Sequence, residues 1–187
     1  MKKHAKKIAV SVLLTASFLM ISTIPIYSQP DISKIQIDTS SVSSAQELTH
    51  RSKLIVLAQS ESADKQVPTT LKVDGRKVVK FTQKIHIKQF MKGNAPKQLT
   101  LVSEGVEPLP DASSPLNKLY PGPLVEGDYI LFLRPIPGTE WYSLVGLWQG
   151  VYPLLDGKSI ALKGIGFPVL NNLTPSDFKR KVDELKR

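Results

Sequence analysis

The chain has 187 residues, no cysteine, and 25 Lys and Arg against 16 Asp and Glu, a formal net charge of +9. That length suits one domain with appendages, and 41% hydrophobic with 22% charged residues is globular rather than disordered composition. Without cysteine there is no disulfide, thiolate zinc site, cysteine nucleophile or lipidated cysteine, and three histidines are too few for a histidine-rich metal site.

Lys2, Lys3, Lys6 and Lys7 precede an apolar run from Ile8 to Ile26. A basic stub followed by an apolar stretch predicts a secretory signal peptide over residues 1–28, cleaved after Ser28. The alternative is an uncleaved anchor, because the run approaches the ~20 residues of a spanning helix. Either way the remainder is expected outside the cytoplasm, secreted or held at the membrane. Cleavage leaves 159 residues with a net charge of +5, since all four lysines of the stub are lost.

Residues 29–43 are polar and serine-rich and read as a flexible tether. A short helix is expected from Ser44 to His50, with Ser44 and Glu47 spaced as a capping box. The single folded domain then spans 44–187. Lys53 to Gln59 reads as a central strand, Asp64 to Thr70 as a loop, and Asp74-Gly75 as a hairpin turn that Arg76 extends in one version. From Val79 to Lys88 alternation places Val79, Phe81, Ile85 and Ile87 inward, with Gln83 the exception. Lys80, Thr82, Lys84, His86 and Lys88 fall on the expected solvent face. Lys92 to Pro96 is a turn, and Leu99 and Leu101 carry the inward face of the next strand.

Residues 103–126 hold five of the fourteen prolines and read as a long connection outside the sheet. Loops of that length are often functional. Asp128 to Arg134 is the most apolar strand. Trp141 to Leu147, Gly150 to Leu155 and Ser159 to Leu162 follow, the last pair joined by Asp156-Gly157. The end reads as a helix with Thr174 as cap, Pro175 in its first position, and Phe178, Val182 and Leu185 on one face. About seven short strands with helices only at the two ends predict a mainly β fold, a small β-barrel or sandwich.

Four segments carry a resemblance. They are Ser52 to Val56, Lys92 to Pro96, Val125 to Leu133 (a glycine turn into an apolar strand), and Gly146 to Tyr152 with Asp156 to Lys158. Together they resemble a family of uncharacterised secreted domains of Gram-positive and related bacteria. Their order is also similar to the netrin-like OB-fold of tissue inhibitors of metalloproteinases. The resemblance covers about residues 45–160. It implies a small OB-like β-barrel with a short N-terminal and a C-terminal helix. Those inhibitors reach the protease zinc through an N-terminal cysteine, and this chain has none, so that mechanism does not transfer.

Lys80, Lys84, His86 and Lys88 form a candidate anion-binding stripe for an anionic cell-wall polymer or membrane surface, or else a solvated strand face. The stripe holds no stacking aromatic, which disfavours nucleic acid. The lysines and arginines of the C-terminal helix read either as a membrane contact or as an ordinary polar face. Tyr120, Trp148 and Gln149 are candidate ligand or partner contacts, with Trp148 and Gln149 set between Gly146 and Gly150; barrel core plus a bulge is the alternative. His50 and His86 lack convergent metal ligands, and Glu104, Glu107 and Asp111 lack pairing geometry. The expectation is therefore a non-catalytic binding domain without a cofactor. Its partner is an envelope polymer, a lipid surface or, alternatively, a secreted protein.

Overall fold

The computed structural model describes residues 30–187. The export segment expected over residues 1–28 lies outside the described residues. The fold is mainly β, an OB-like barrel with a short helix at its start and a longer one at its end. Helix α1 spans Ala45–Arg51. The barrel strands are β1 Leu54–Val73, β2 Arg76–Lys92, β3 Gln98–Glu107, β4 Gly127–Pro135 and β5 Trp141–Leu144. Neighbours pair in the order β1-β2-β3-β5-β4, and β4 pairs back onto β1 from Leu54 to Ser60. The ring nearly closes, and its narrow point is the parallel β3–β5 contact, Thr100 with Trp141 and Leu101 with Tyr142. Strands β6 Val151–Leu155 and β7 Lys158–Ser159 extend the sheet beyond β4. Helix α2, Leu116–Leu119, interrupts the proline-rich connection, and α3, Pro175–Leu185, ends the chain.

Strand β4 shows why its sequence is apolar throughout. Leu131 and Leu133 point into the barrel with Val56, Ile85, Leu101 and Val151. Ile130 and Phe132 point outward into a second core beneath the two helices, with Leu48, Ile55, Phe178 and Val182. A strand buried on both faces needs no polar alternation. Phe132, Tyr152 and Phe178 meet there as tilted and edge-on rings 5.5 to 6.1 Å apart. Each such fully buried ring contributes roughly 1.5–3 kcal/mol.

The helix termini follow their capping residues. Ser44 Oγ accepts from the Glu47 N–H at 3.0 Å, while the Glu47 carboxylate reaches back to the Ser43 N–H and hydroxyl, both at 2.7 Å. Thr174 Oγ1 accepts from the Asp177 N–H and Pro175 takes the first helical position.

Several expectations need correction. Residues 64–70 are strand rather than loop, because β1 pairs with β2 as far as Val73↔Arg76. The hairpin loop is therefore Asp74-Gly75 alone, both with positive φ, as a two-residue turn requires. The first two strands are long, 20 and 17 residues, and their outer half stands beyond the ring. Strand β3 continues to Glu107, so the proline-rich connection begins at Pro108. Strand β5 stops at Leu144, because Gly146 and Leu147 adopt left-handed backbone and a 3-10 turn occupies Leu147–Gly150. Strand β7 ends at Ser159 rather than Leu162.

Residues 30–43, expected as a tether, lie along the barrel as a strap. Ile35 is buried against Val102 and Ile136, with Ile32, Ile37 and Trp141 beside it. Asp38 holds the guanidinium groups of Arg51 and Arg134. The Gln149 amide brackets Val42, accepting from its N–H at 2.8 Å and donating to its carbonyl at 2.9 Å.

Candidate functional site

The basic stripe does not survive as a free surface. Lys80, expected in solvent, is only 2% exposed. The strap covers it, and its ammonium donates to the Ser33 carbonyl at 3.1 Å and to the Ile35 carbonyl, with Glu104 Oε1 at 3.7 Å. Thr82, on the same face, is buried too. The His86 ring bonds the Glu61 carboxylate, and Lys88 bonds both Asp128 oxygens at 2.6 and 2.8 Å. Lys84 is exposed. Alternation placed these side chains on one face correctly. It cannot reveal a strap from elsewhere in the chain lying over half of that face.

Tyr120 and Trp148, 28 positions apart in the chain, do come together. Both line a groove of about 680 Å³ between the outer half of the β1–β2 hairpin and the proline-rich connection. Its floor continues the inward face of the barrel, with Phe81 on β2 and Gly105 on β3. Gly105 is needed for close approach. A Cβ there would lie 2.9 Å from the Phe81 ring and 3.2 Å from the Gly122 Cα. Pro110, Pro121 and Pro123 supply much of the facing wall. Gln149 does not share this groove, since its amide is engaged with the strap.

The connection is fastened along its length. Gln83 is fully buried; its amide nitrogen donates to the Leu124 carbonyl at 2.7 Å and to the Glu61 carbonyl at 2.9 Å, and its oxygen accepts from the Leu124 N–H at 2.7 Å. The Gly122 N–H donates to the Glu104 carbonyl at 2.8 Å. The Trp148 indole N–H donates to the Asn117 carbonyl at 2.7 Å, and the Asn117 amide in turn reaches the Asp111 carbonyl at 2.7 Å. Arg76 at the hairpin tip donates to the Pro108 carbonyl at 2.6 Å and the Leu109 carbonyl at 3.2 Å. The Tyr129 hydroxyl donates to the Val125 carbonyl at 2.8 Å. A wall pinned at this many points is formed before any ligand arrives. On its rim Leu109 is 84% exposed, with Leu119 and Val125 exposed nearby along the connection.

The groove is chemically plain. Glu107 is its one carboxylate and takes a bond from the Gln66 amide. Elsewhere burial pushes the Glu104 carboxyl above the ordinary carboxylate range, with Lys80 opposing, and pushes the Tyr152 hydroxyl up to about 12. Tyr152 sits in the aromatic core, where its oxygen accepts from the Phe167 N–H. Glu104 lies on the opposite face of β3 from Gly105. His50 is exposed at the last turn of α1. Among the described residues no three His, Asp or Glu side chains converge in a way that holds a metal ion. No described helix is long and apolar enough to cross a membrane. What the groove offers is apolar surface.

Gln83 and Gly105 carry the site and neither was assigned a role from sequence. Each had a signal: a glutamine among inward-facing apolar residues, and a glycine inside a strand. Compared with known families and curated proteins, the chain matches no family model and no curated protein.

Proposed function

We propose that this protein is a non-catalytic binding domain acting outside the cytoplasm, and that it holds a segment of another polypeptide in the groove beneath the proline-rich connection. One observation carries the reading: an apolar groove of about 680 Å³ whose far wall is pinned by Gln83, Gly122, Asn117 and Arg76. Exposed apolar surface of this kind marks an interaction site. The location rests on the basic-then-apolar N-terminal sequence. The resemblance to netrin-like inhibitor barrels also favours a protein partner. An anionic wall polymer or lipid surface is the weaker reading, because Lys80 is buried and His86 and Lys88 already face carboxylates.

The test is selection of displayed random peptides on the purified chain and, in parallel, on Gly105→Ala, whose new methyl group intrudes at the groove floor. Apolar peptides enriched on the natural chain and not on the variant are expected. Equal enrichment on both, or none on either, overturns the proposal.

A further inference from the structure

We infer that this chain carries a second binding site, for an uncharged sugar, in the cleft where β3 and β5 splay apart. The two strands run parallel but pair only at Thr100 with Trp141 and Leu101 with Tyr142. Ahead of those pairs, Pro96 and Gln98 on one side and Glu140 on the other line a cleft of about 440 Å³. That volume is within the ~300–1,000 Å³ of small-ligand sites. Thr100 in the cleft and Gly105 at the groove floor are five positions apart on β3, about 17 Å at strand rise. A small ligand in the cleft therefore stands apart from the polypeptide proposed for the groove.

The walls are set before a ligand arrives. The Ile87 N–H donates to the Lys97 carbonyl at 2.7 Å, which ties the start of β3 to β2. On the other wall the Ile136 N–H donates to the Trp141 carbonyl at 2.8 Å, and Thr139 Oγ1 accepts from the Trp141 N–H at 3.0 Å. Those bonds use main chain and the Thr139 hydroxyl, and leave the lining side chains free. Among the described residues, the Gln98 amide, the Thr100 hydroxyl, the Glu140 carboxylate, the Trp141 indole N–H and the Tyr142 hydroxyl make no hydrogen bond or ion pair. None of them is a buried unpaired atom, so all five are open to solvent. In the groove, by contrast, the polar groups of Glu107, Asn117 and Trp148 are already bonded.

Donors and acceptors are mixed in this cleft, and the mixture decides the ligand class. Gln98 offers both, Trp141 only a donor, Glu140 only acceptors, and the two hydroxyls either. A cation satisfies Glu140 but gives nothing to the indole and amide N–H groups. An anion satisfies those and meets the Glu140 carboxylate, with no Lys or Arg lining the cleft among the described residues to offset it. A wholly apolar segment leaves all five groups without partners. A sugar hydroxyl donates and accepts at once. A pyranose ring adds a face of C–H groups that packs on aromatic surface. Trp141 and Tyr142 leave β5 on opposite sides, toward the strap and toward the barrel core. Both stay half-buried, so they frame the cleft from two sides, with Pro96 across from them.

The experiment titrates the full chain with cellotetraose and tetra-N-acetylchitotetraose as uncharged sugars, tetragalacturonate as an anionic one, and choline as a cation. Saturation-transfer NMR and calorimetry read the binding. The expected result is saturable binding of at least one uncharged sugar with a Kd of about 1 mM or tighter, and at least about 10-fold tighter than tetragalacturonate or choline. Glu140 and Gln98 are exposed, so Glu140→Gln and Gln98→Ala test the cleft without disturbing the fold. With Tm unchanged, they are expected to weaken the sugar about 10-fold and about 2–10-fold respectively. Absence of saturable binding by both uncharged sugars, or tighter binding of the anion or the cation, overturns the assignment. So does sugar affinity that is unchanged in both variants. Sugar affinity that falls in Gly105→Ala but not in Glu140→Gln moves the ligand to the groove and also overturns it. Peptide selection at the groove is scored separately, so either site can fail without the other.

Discussion

Replacing Gln83 with leucine removes the clamp that fastens the connection to the barrel while keeping nearly the same volume. In the native chain the Gln83 amide serves both the N–H and the carbonyl of Leu124, a residue only 4% exposed. Leucine leaves those two backbone groups buried without partners. Each costs about 1–3 kcal/mol. The Glu61 carbonyl also loses a bond, but its surroundings are wetter and it recovers water. The leucine side chain itself gains from burial, which offsets part of the loss. The net expectation is a loss of about 3 kcal/mol, and at this domain size about 6–12 °C in Tm. Urea denaturation followed by tryptophan emission measures the first number. Amide exchange at Leu124 tests the cause, and must accelerate by more than at Ile85 or Leu131. Gln83→Glu provides the sign. It keeps one acceptor for the Leu124 N–H and turns the other oxygen toward two carbonyls, so its buried carboxylate has a raised pKa. Its stability is then greatest at low pH and is lost as pH rises through that pKa. It must be less stable than Gln83→Leu at pH 7 and recover toward it under acid. A Gln83→Leu variant within about 0.5 kcal/mol of the natural chain, with unchanged exchange at Leu124, refutes the reasoning, since changes that small are usual only for surface substitutions away from such features.

Three further outcomes follow from the same structure. Lys80→Met removes the partner of a buried carboxylate and is expected to cost about 3–5 kcal/mol. Burial already raises the Glu104 carboxyl above 4.5 and Lys80 restrains it. The deficit must therefore grow as pH rises from about 4 toward neutrality, and urea midpoints that stay parallel across that range contradict it. Asp38 is held well below the usual carboxylate range by the Ser40 hydroxyl and N–H and then by Arg134. The stability it contributes is present above 3.8 and lost as pH falls through its lowered value, so Asp38→Asn or acid must speed amide exchange at Ser40 and Val42. The carboxylate is 41% exposed, which limits the effect to about 1 kcal/mol or less. Gly105→Ala, with its Cβ 2.9 Å from the Phe81 ring, is expected to cost roughly 1–3 kcal/mol by overpacking and to displace the connection. A variant as stable as the natural chain with unaltered proteolysis between residues 108 and 126 speaks against a tight floor.

The parts of the fold visible in the sequence are those written by short-range periodicity. The alternation from Val79 to Lys88 located β2 and its inward face, and the unbroken run at Asp128 to Arg134 located the strand buried on both sides. Thr174, Pro175 and Asp177 marked the start of α3. What was illegible came from contacts distant in sequence. Residues 64–70 look like loop because they are polar, yet pairing with β2 on one edge makes them strand, and Pro68 is accommodated there because the other edge is not part of the ring. The strap was hidden by its serines, although Ile32, Ile35 and Ile37 are the residues that dock it. In the site, Tyr120 and Trp148 were singled out one at a time. Their meeting depends on the Trp148–Asn117 bond, which no local pattern encodes.

The strap also bears on where such a barrel binds. OB-like barrels commonly take extended polymers on the outer face of their second and third strands. In this chain Lys80 and Thr82 of β2 and Val102 and Glu104 of β3 form that face, and residues 32–37 lie over it. A polymer arriving there must first lift the strap. Lifting it exposes Ile35, at roughly 1.5–3 kcal/mol for a side chain of that size, and strips Lys80 of two carbonyl acceptors. A polyanion returns charge to Lys80 but no apolar contact to the isoleucines and Trp141, and it meets Glu104 at the same spot. The groove beneath the proline-rich connection requires no such displacement, since its apolar lining is open and its walls are already held. Covering one face and pinning the connection are thus two halves of one arrangement, and it supports the proposed recognition at the groove better than a polyanion on the strands.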